Sequence, residues 1–129
     1  MVAIVFDASA VLALIRDEPE AAAVRDHVGR AAISTVNLHE VVKDLLQSGL
    51  NETIIRQILG ELRLDVHDHG EDDAYAGASL HAQTRTYGRG LGDRTCLALA
   101  LKLGVPALTT DREWKKVKVA GLKIIALRA

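Results

Sequence analysis

A single cysteine, Cys96, stands in a chain of 129 residues, so no internal disulfide can form. It falls in an apolar, helix-like run, which suits a buried structural thiol. No apolar run approaches the roughly 20 residues of a membrane span. The first one, Val2 to Phe6, is too short for a signal-peptide core and has no basic leader, so a soluble cytoplasmic protein is expected. Several common chemistries lack their residues. "GRGLG" (88–92) has no following Lys-Ser/Thr and the wrong spacing for a dinucleotide fingerprint; a flexible turn suits it better. His39-Glu40 meets Lys43 where a zincin helix needs its second histidine, and no serine sits in a nucleophile elbow. His67 and His69 would share one side of a strand, but no cysteine or third ligand joins them. No linker, repeat or low-complexity segment divides the chain, so one domain over 1–129 is expected.

What is present is an alternation of short apolar runs with amphipathic stretches. "VAIVF" (2–6), "AAIST" (31–35), "LDVHD" (64–68), "PALTT" (106–110) and "LKIIAL" (122–127) read as strands. Helices are expected after Asp7, over 19–28 behind Pro19, over 37–49 opened by Asn37, over 51–62 capped by Asn51, and over 71–88, 93–104 and 111–119. Strands separated by helices imply an α/β fold, with a parallel sheet of about five strands and helices on both faces.

The net charge of −1 conceals two unlike halves. Residues 1–80 hold six Lys/Arg against 14 Asp/Glu, and residues 81–129 hold ten against three. An anionic partner would meet the second half more readily, unless the two sets simply neutralise each other across the surface.

Four acids stand where a sheet would gather them. In an open parallel sheet, sites form beyond the carboxyl ends of the strands. Asp7 follows the first strand, Asp111 follows "PALTT", Glu40 lies in the first turn of the helix after "AAIST", and Asp93 starts the helix that leads back to "PALTT". Such acids would repel one another, and burial would raise at least one pKa. A divalent cation removes that penalty, and oxygen ligands without thiolate select Mg²⁺ or Mn²⁺. Each acid also has a structural reading. Asn37-x-x-Glu40 and Thr110-x-x-Glu113 have the form of capping boxes, and Asp93 stands where an N-cap is expected. Asp7, at the end of a fully apolar run, is the hardest to explain that way.

With these residues assembled, "IVFDASAVLALI", "STVNLHEVV", "GLGDRTCLALALKLGVPALTTDREW" and "LKIIAL" together resemble a PIN domain, most closely the VapC-type toxins of bacterial toxin–antitoxin pairs. The resemblance covers almost the whole chain; residues 50–85 carry little of it. It implies an α/β/α sandwich and an Mg²⁺- or Mn²⁺-dependent endoribonuclease. Asp7 and Asp93 would be the main metal ligands, and Glu40 and Asp111 would ligate directly or through water. Ser9, Asn37 and Thr110 would brace the site. Arg94 and Arg112 follow quartet acids and would either reach phosphates or form surface salt bridges, and Trp114 would either stack on a base or cover the core. The resemblance further implies a homodimer, an antitoxin partner and an RNA substrate. A PIN domain that binds RNA or protein without cleaving is the alternative. An aspartate-based phosphotransfer domain is a weaker one, because a phosphatase of that kind needs a second Asp where Ser9 stands.

Overall fold

The structure, a computed structural model, describes residues 1–128. Its centre is a five-stranded sheet of β1 (Ile4–Phe6), β2 (Ala31–Ser34), β3 (Asp65–His67), β4 (Ala107–Thr109) and β5 (Ile124–Ala126), in the order β3-β2-β1-β4-β5. Every pairing is parallel. Six α-helices accompany it among the described residues: α1 (Ala8–Ile15), α2 (Ala21–Arg25), α3 (Thr35–Gln47), α4 (Glu52–Glu61), α5 (Glu71–Ala78) and α6 (Leu91–Leu103). Two 3-10 helices follow α5 and β4, at Ser79–His81 and Arg112–Lys116.

The three layers follow from side-chain alternation. Ile4 and Phe6 of β1, Ile33 of β2 and Leu108 of β4 face one way, into a core completed by Val11, Val24, Val41 and Ile55 of α1 to α4. Val5, Ala32 and Ala107 face the other way, against Cys96, Leu97 and Ala100 of α6 and against Trp114. Both faces of the central strands are covered, which is why their sequences are continuously apolar. The strand order reverses at β1, which lies between β2 and β4, and a crevice belongs at that switch point beyond the carboxyl ends.

The expected α/β fold with five parallel strands is found, and several boundaries differ. Helix α3 opens two residues before Asn37. Ser34 caps it, its side chain accepting from the Val36 N–H at 3.2 Å, because β2 ends there and the chain turns at once. Asn37 is therefore inside the helix and buried, and Asn37-x-x-Glu40 is not its capping box. Asp93 is likewise not an N-cap: α6 begins at Leu91 behind Gly90, which puts Asp93 at the third helical position. Pro19 lies before α2 rather than at its first position. The helix expected over 71–88 stops at Ala78 and continues only as a 3-10 turn. Beyond it Thr84 returns its hydroxyl to the Leu80 carbonyl at 2.7 Å, the side-chain competition that disfavours helix interiors. Asn51 does cap α4, at 3.0 Å from the Ile54 N–H.

Candidate active site

Asp7 is the most enclosed of the four acids. It follows β1 and caps α1, accepting from the backbone N–H of Ala10 at 2.9 Å. The hydroxyls of Ser9 and Thr109 donate to its two oxygens at 2.7 and 2.5 Å. It is only 6% exposed, and burial lifts its pKa from 3.8 to about 6, against the pull of those three hydrogen bonds; the negative charge of Asp93 adds to the rise.

The sequence pattern points to Thr110 here, and the structure places Thr109 instead. The register explains the exchange. Val5 pairs with Ala107 and Phe6 with Leu108, so one further step sets Asp7 beside Thr109. Thr110 contributes its backbone N–H to Ser9 Oγ instead, at 3.1 Å. The Thr109 hydroxyl also accepts from the Asp111 backbone N–H at 3.0 Å, which ties Asp111 to Asp7 through one side chain. Asp111 is exposed and caps the 3-10 helix, accepting from the Glu113 N–H at 2.9 Å.

Asp93 is reached from the other side of β1. Its carboxylate accepts from the Gly90 N–H at 3.2 Å, in the first turn of α6, where the positive end of the helix dipole favours an anion. Burial nevertheless raises its pKa, and the charges of Asp111 and Glu40 push the same way. The indole N–H of Trp114 works against the rise. That N–H is buried and has no partner in full hydrogen-bond geometry, so it faces the carboxylate without closing on it.

Glu40 projects from α3 and is exposed, held by the Asn37 side-chain amide at 3.0 Å. The same amide donates to the Gly92 carbonyl at 3.0 Å, which clips α3 to the start of α6. The crossing is close: a Cβ on Gly92 would stand 2.7 Å from the Glu40 carboxyl carbon, so any larger residue there would displace the Glu40 side chain. The closeness of Gly92 to Glu40 is not visible in the sequence, because the two residues belong to different helices.

The four acids therefore form one electrostatic group. Asp7 feels Asp93, and Asp93 feels Asp111 and Glu40. Beneath them the Cys96 thiol is fully buried, and its pKa is driven well up by burial and by Asp7, Asp93 and Glu40 together. Among the described residues, no basic side chain contributes to lowering the pKa of Asp7 or Asp93. As they stand, no three of these side chains close around a point as a preformed metal cage. The donor chemistry is nonetheless that of a hard cation: carboxylate oxygens, hydroxyls and no accessible sulfur. Asn37 Oδ1 is buried without a hydrogen-bond partner among the described residues.

The remaining candidates separate. Arg112 is exposed next to Asp111. Arg94 is engaged within the fold, its Nε donating to the buried Thr84 hydroxyl at 2.9 Å. Trp114 is 1% exposed and lies in the core, so it is not open to stack on a base. His67 pairs with Asp65 at 3.0 Å, and His69 gives its backbone N–H to Thr35 Oγ1; the two histidines gather no third ligand among the described residues.

A PIN domain family model matches residues 4–120. The chain belongs to the PIN domain family. Solved structures of similar fold include a DNA-bound VapBC from Salmonella typhimurium, 22% identical with a TM-score of 0.74, covering 98% of this chain and 99% of that one. A toxin–antitoxin complex from Klebsiella pneumoniae is 19% identical with a TM-score of 0.74, over 93% and 95% of the two chains. VapBC-5 from Mycobacterium tuberculosis is 24% identical with a TM-score of 0.60, over 98% and 99%. At these identities the likeness is one of fold. No curated protein matches by sequence. PIN domains are typically nucleases that use a divalent metal, and the acids of this PIN domain stand at the switch point where such a site belongs. No helix among the described residues is long and apolar enough to cross a membrane.

Proposed function

We propose that this PIN domain is an Mg²⁺- or Mn²⁺-dependent endoribonuclease and the toxin of a toxin–antitoxin pair. The observation that carries the reading is the gathering of Asp7, Glu40, Asp93 and Asp111 at one sheet edge, with two of them raised in pKa by burial and shared charge. Asp7 and Asp93 would hold the ion, with Glu40 and Asp111 ligating directly or through water. When bound, the ion lowers the pKa of a water and offsets charge on the phosphate under attack. The protein's own part is positional. Ser9 and Thr109 fix the Asp7 carboxylate, Thr109 ties Asp111 to it, and Asn37 holds Glu40 against the turn that carries Asp93. An aspartyl-phosphate role for Asp7 fits poorly, since both its oxygens are hydrogen-bonded and it is almost fully buried.

The partner reading has separate support. The Salmonella and Klebsiella structures are VapBC and toxin–antitoxin complexes. Here Leu46 and Val66 remain exposed on an apolar trough shared with Leu38, Val42, Ile55 and Leu59, a surface suited to a protein partner. An antitoxin, a homodimer and a cytoplasmic location with cellular RNA complete the proposal.

The test is cleavage of total cellular RNA by the purified protein with Mg²⁺ or Mn²⁺, beside EDTA and Asp93→Asn controls. Discrete cuts that vanish in both controls are expected. Cuts that persist in the Asp93→Asn protein would overturn the assignment of the quartet. A wild-type protein that binds RNA without cutting it would point to the non-cleaving PIN alternative.

A further inference from the structure

The basic residues of the second half are not spread evenly. Residues 81–92 contain no acid, and neither do residues 114–129. The structure brings parts of these two segments together. Lys116 sits over the Tyr87 ring at 4.8 Å from its centroid and approaches the Tyr87 hydroxyl at 3.5 Å. Just beyond, a Cβ on Gly88 would touch Val117 at 3.2 Å, so the backbone of one segment packs on the side chains of the other. The joint leads towards the acids: Arg89 stands next to Gly90, the residue whose N–H holds Asp93, and Arg112 follows Asp111.

Several cations elsewhere are neutralised. Arg16, Arg25, Arg56, Lys102 and Arg128 each face a carboxylate within 4 Å. At the joint itself Lys116 faces Glu113 at 3.3 Å. Arg85, Arg89, Lys115 and Lys118 are exposed and take part in no ion pair among the described residues. The unpaired, exposed Arg85, Arg89, Lys115 and Lys118 lie on two packed segments and make a positive ridge beside a negative site. A polyanion whose scissile phosphate is to reach four carboxylates needs such a ridge to offset their repulsion. The ridge has no helix or ribbon shaped for a duplex groove; it is a turn packed on a 3-10 helix, which suits a backbone that bends freely.

We infer that the ridge built from residues 85–89 and 115–118, joined by the Tyr87–Lys116 contact, carries the backbone of single-stranded RNA towards the acidic quartet. This rests on the nuclease reading above and adds the path by which substrate reaches the site. The ridge supplies affinity and orientation without reading sequence.

The test uses the whole protein in EDTA, so that binding is measured without cleavage. A fluorescein-labelled single-stranded RNA of mixed sequence is titrated by anisotropy over a range of KCl. Arg85→Gln/Arg89→Gln/Lys115→Gln is compared with Arg25→Gln/Lys43→Gln/Arg56→Gln, which removes the same charge from the helices α2 to α4. The ridge variant is expected to bind roughly tenfold more weakly or worse at moderate salt, with a salt slope shallower by about 2, because each neutralised phosphate contributes about 0.7 for a single strand. The control variant is expected to stay close to wild type. Equal weakening of both variants would reduce the effect to net charge and overturn the ridge. So would a ridge variant that binds as wild type does, the result expected if this surface instead serves an acidic protein partner. A wild-type protein with no affinity for the RNA would overturn the nuclease reading and the ridge with it. Thermal melts confirm that both variants fold, and the single Arg89→Gln change repeats the comparison should either triple variant fail.

Discussion

Asp7→Asn is expected to reduce RNA cleavage by about 10³-fold or more while making the metal-free protein more stable. The first half follows from the role proposed for the carboxylate. Loss of a principal ligand forfeits several kcal/mol of charge stabilisation, and each 1.4 kcal/mol is about tenfold in rate. The second half follows from burial. An Asp with an ordinary value of 3.8 is lifted to about 6 in the fold, so the folded state holds its proton more tightly than the unfolded chain does. Stability contributed by this group is therefore greatest below about pH 4 and falls as pH rises through 6. Above that, ionised Asp7 costs the metal-free fold on the order of 2–3 kcal/mol, at about 1.4 kcal/mol per pKa unit. Asparagine removes the charge and keeps the shape, and its oxygen can still accept from Ala10 and Ser9. Thermal melts in EDTA at pH 5 and pH 7.5 are the check. Wild type should gain stability towards pH 5 by more than the Asp7→Asn protein does. A variant less stable than wild type at pH 7.5 would mean that the buried carboxylate is compensated by something the structure does not show.

Trp114→Ala should be the most damaging change outside the four acids themselves. The indole is the largest fully buried side chain, and it fills the core between the sheet and α6 together with Leu97, Ala107 and Val117. Truncating a buried Trp costs about 3–5 kcal/mol in transfer and cavity terms. In a domain stabilised by roughly 5–15 kcal/mol, that removes a large share of the total. A fall in Tm of more than about 10 °C, read by circular dichroism, is expected. Trp114→Phe keeps most of the ring and loses the N–H that faces Asp93, so its melt should stay much nearer to wild type. An alanine variant that melts as wild type does would mean that the indole is not part of the core, and would reopen the base-stacking role.

The sequence made the sheet legible because its strands are buried on both faces: Ile4, Val5 and Phe6 form an unbroken apolar run that only a central strand explains. Chain logic then set Asp7, Glu40 and Asp111 at the carboxyl edge, since Asp7 and Asp111 follow strands closely and Glu40 rides on the helix that leaves β2, at its sixth position rather than in the first turn expected. Helix starts were less legible. Ser34, Thr35 and Asn37 are all competent caps, and only the end of β2 decides between them. The supporting residues were hidden for a geometric reason. Thr109 reaches Asp7 because β1 and β4 are neighbours, an adjacency across 102 positions that no local pattern encodes. Gly92 matters because Glu40 crosses it from another helix, and Trp114 because its N–H turns towards Asp93 from beyond the sheet. Residue types that can act locally announce themselves in sequence; contacts made by tertiary approach do not.

The claim at the centre is that four carboxylates from four separate segments serve as one divalent-metal site. Its most direct test is Mn²⁺ binding, followed by the loss of the free-ion signal in electron paramagnetic resonance, for wild type, Asp7→Asn and Asp93→Asn. Wild type is expected to bind Mn²⁺, and each substitution to weaken that binding at least roughly tenfold, more than the loss of an outer hydrogen-bond partner alone would. Equal Mn²⁺ affinity in all three proteins would contradict the account, and would leave the acids as structural groups that happen to share an edge.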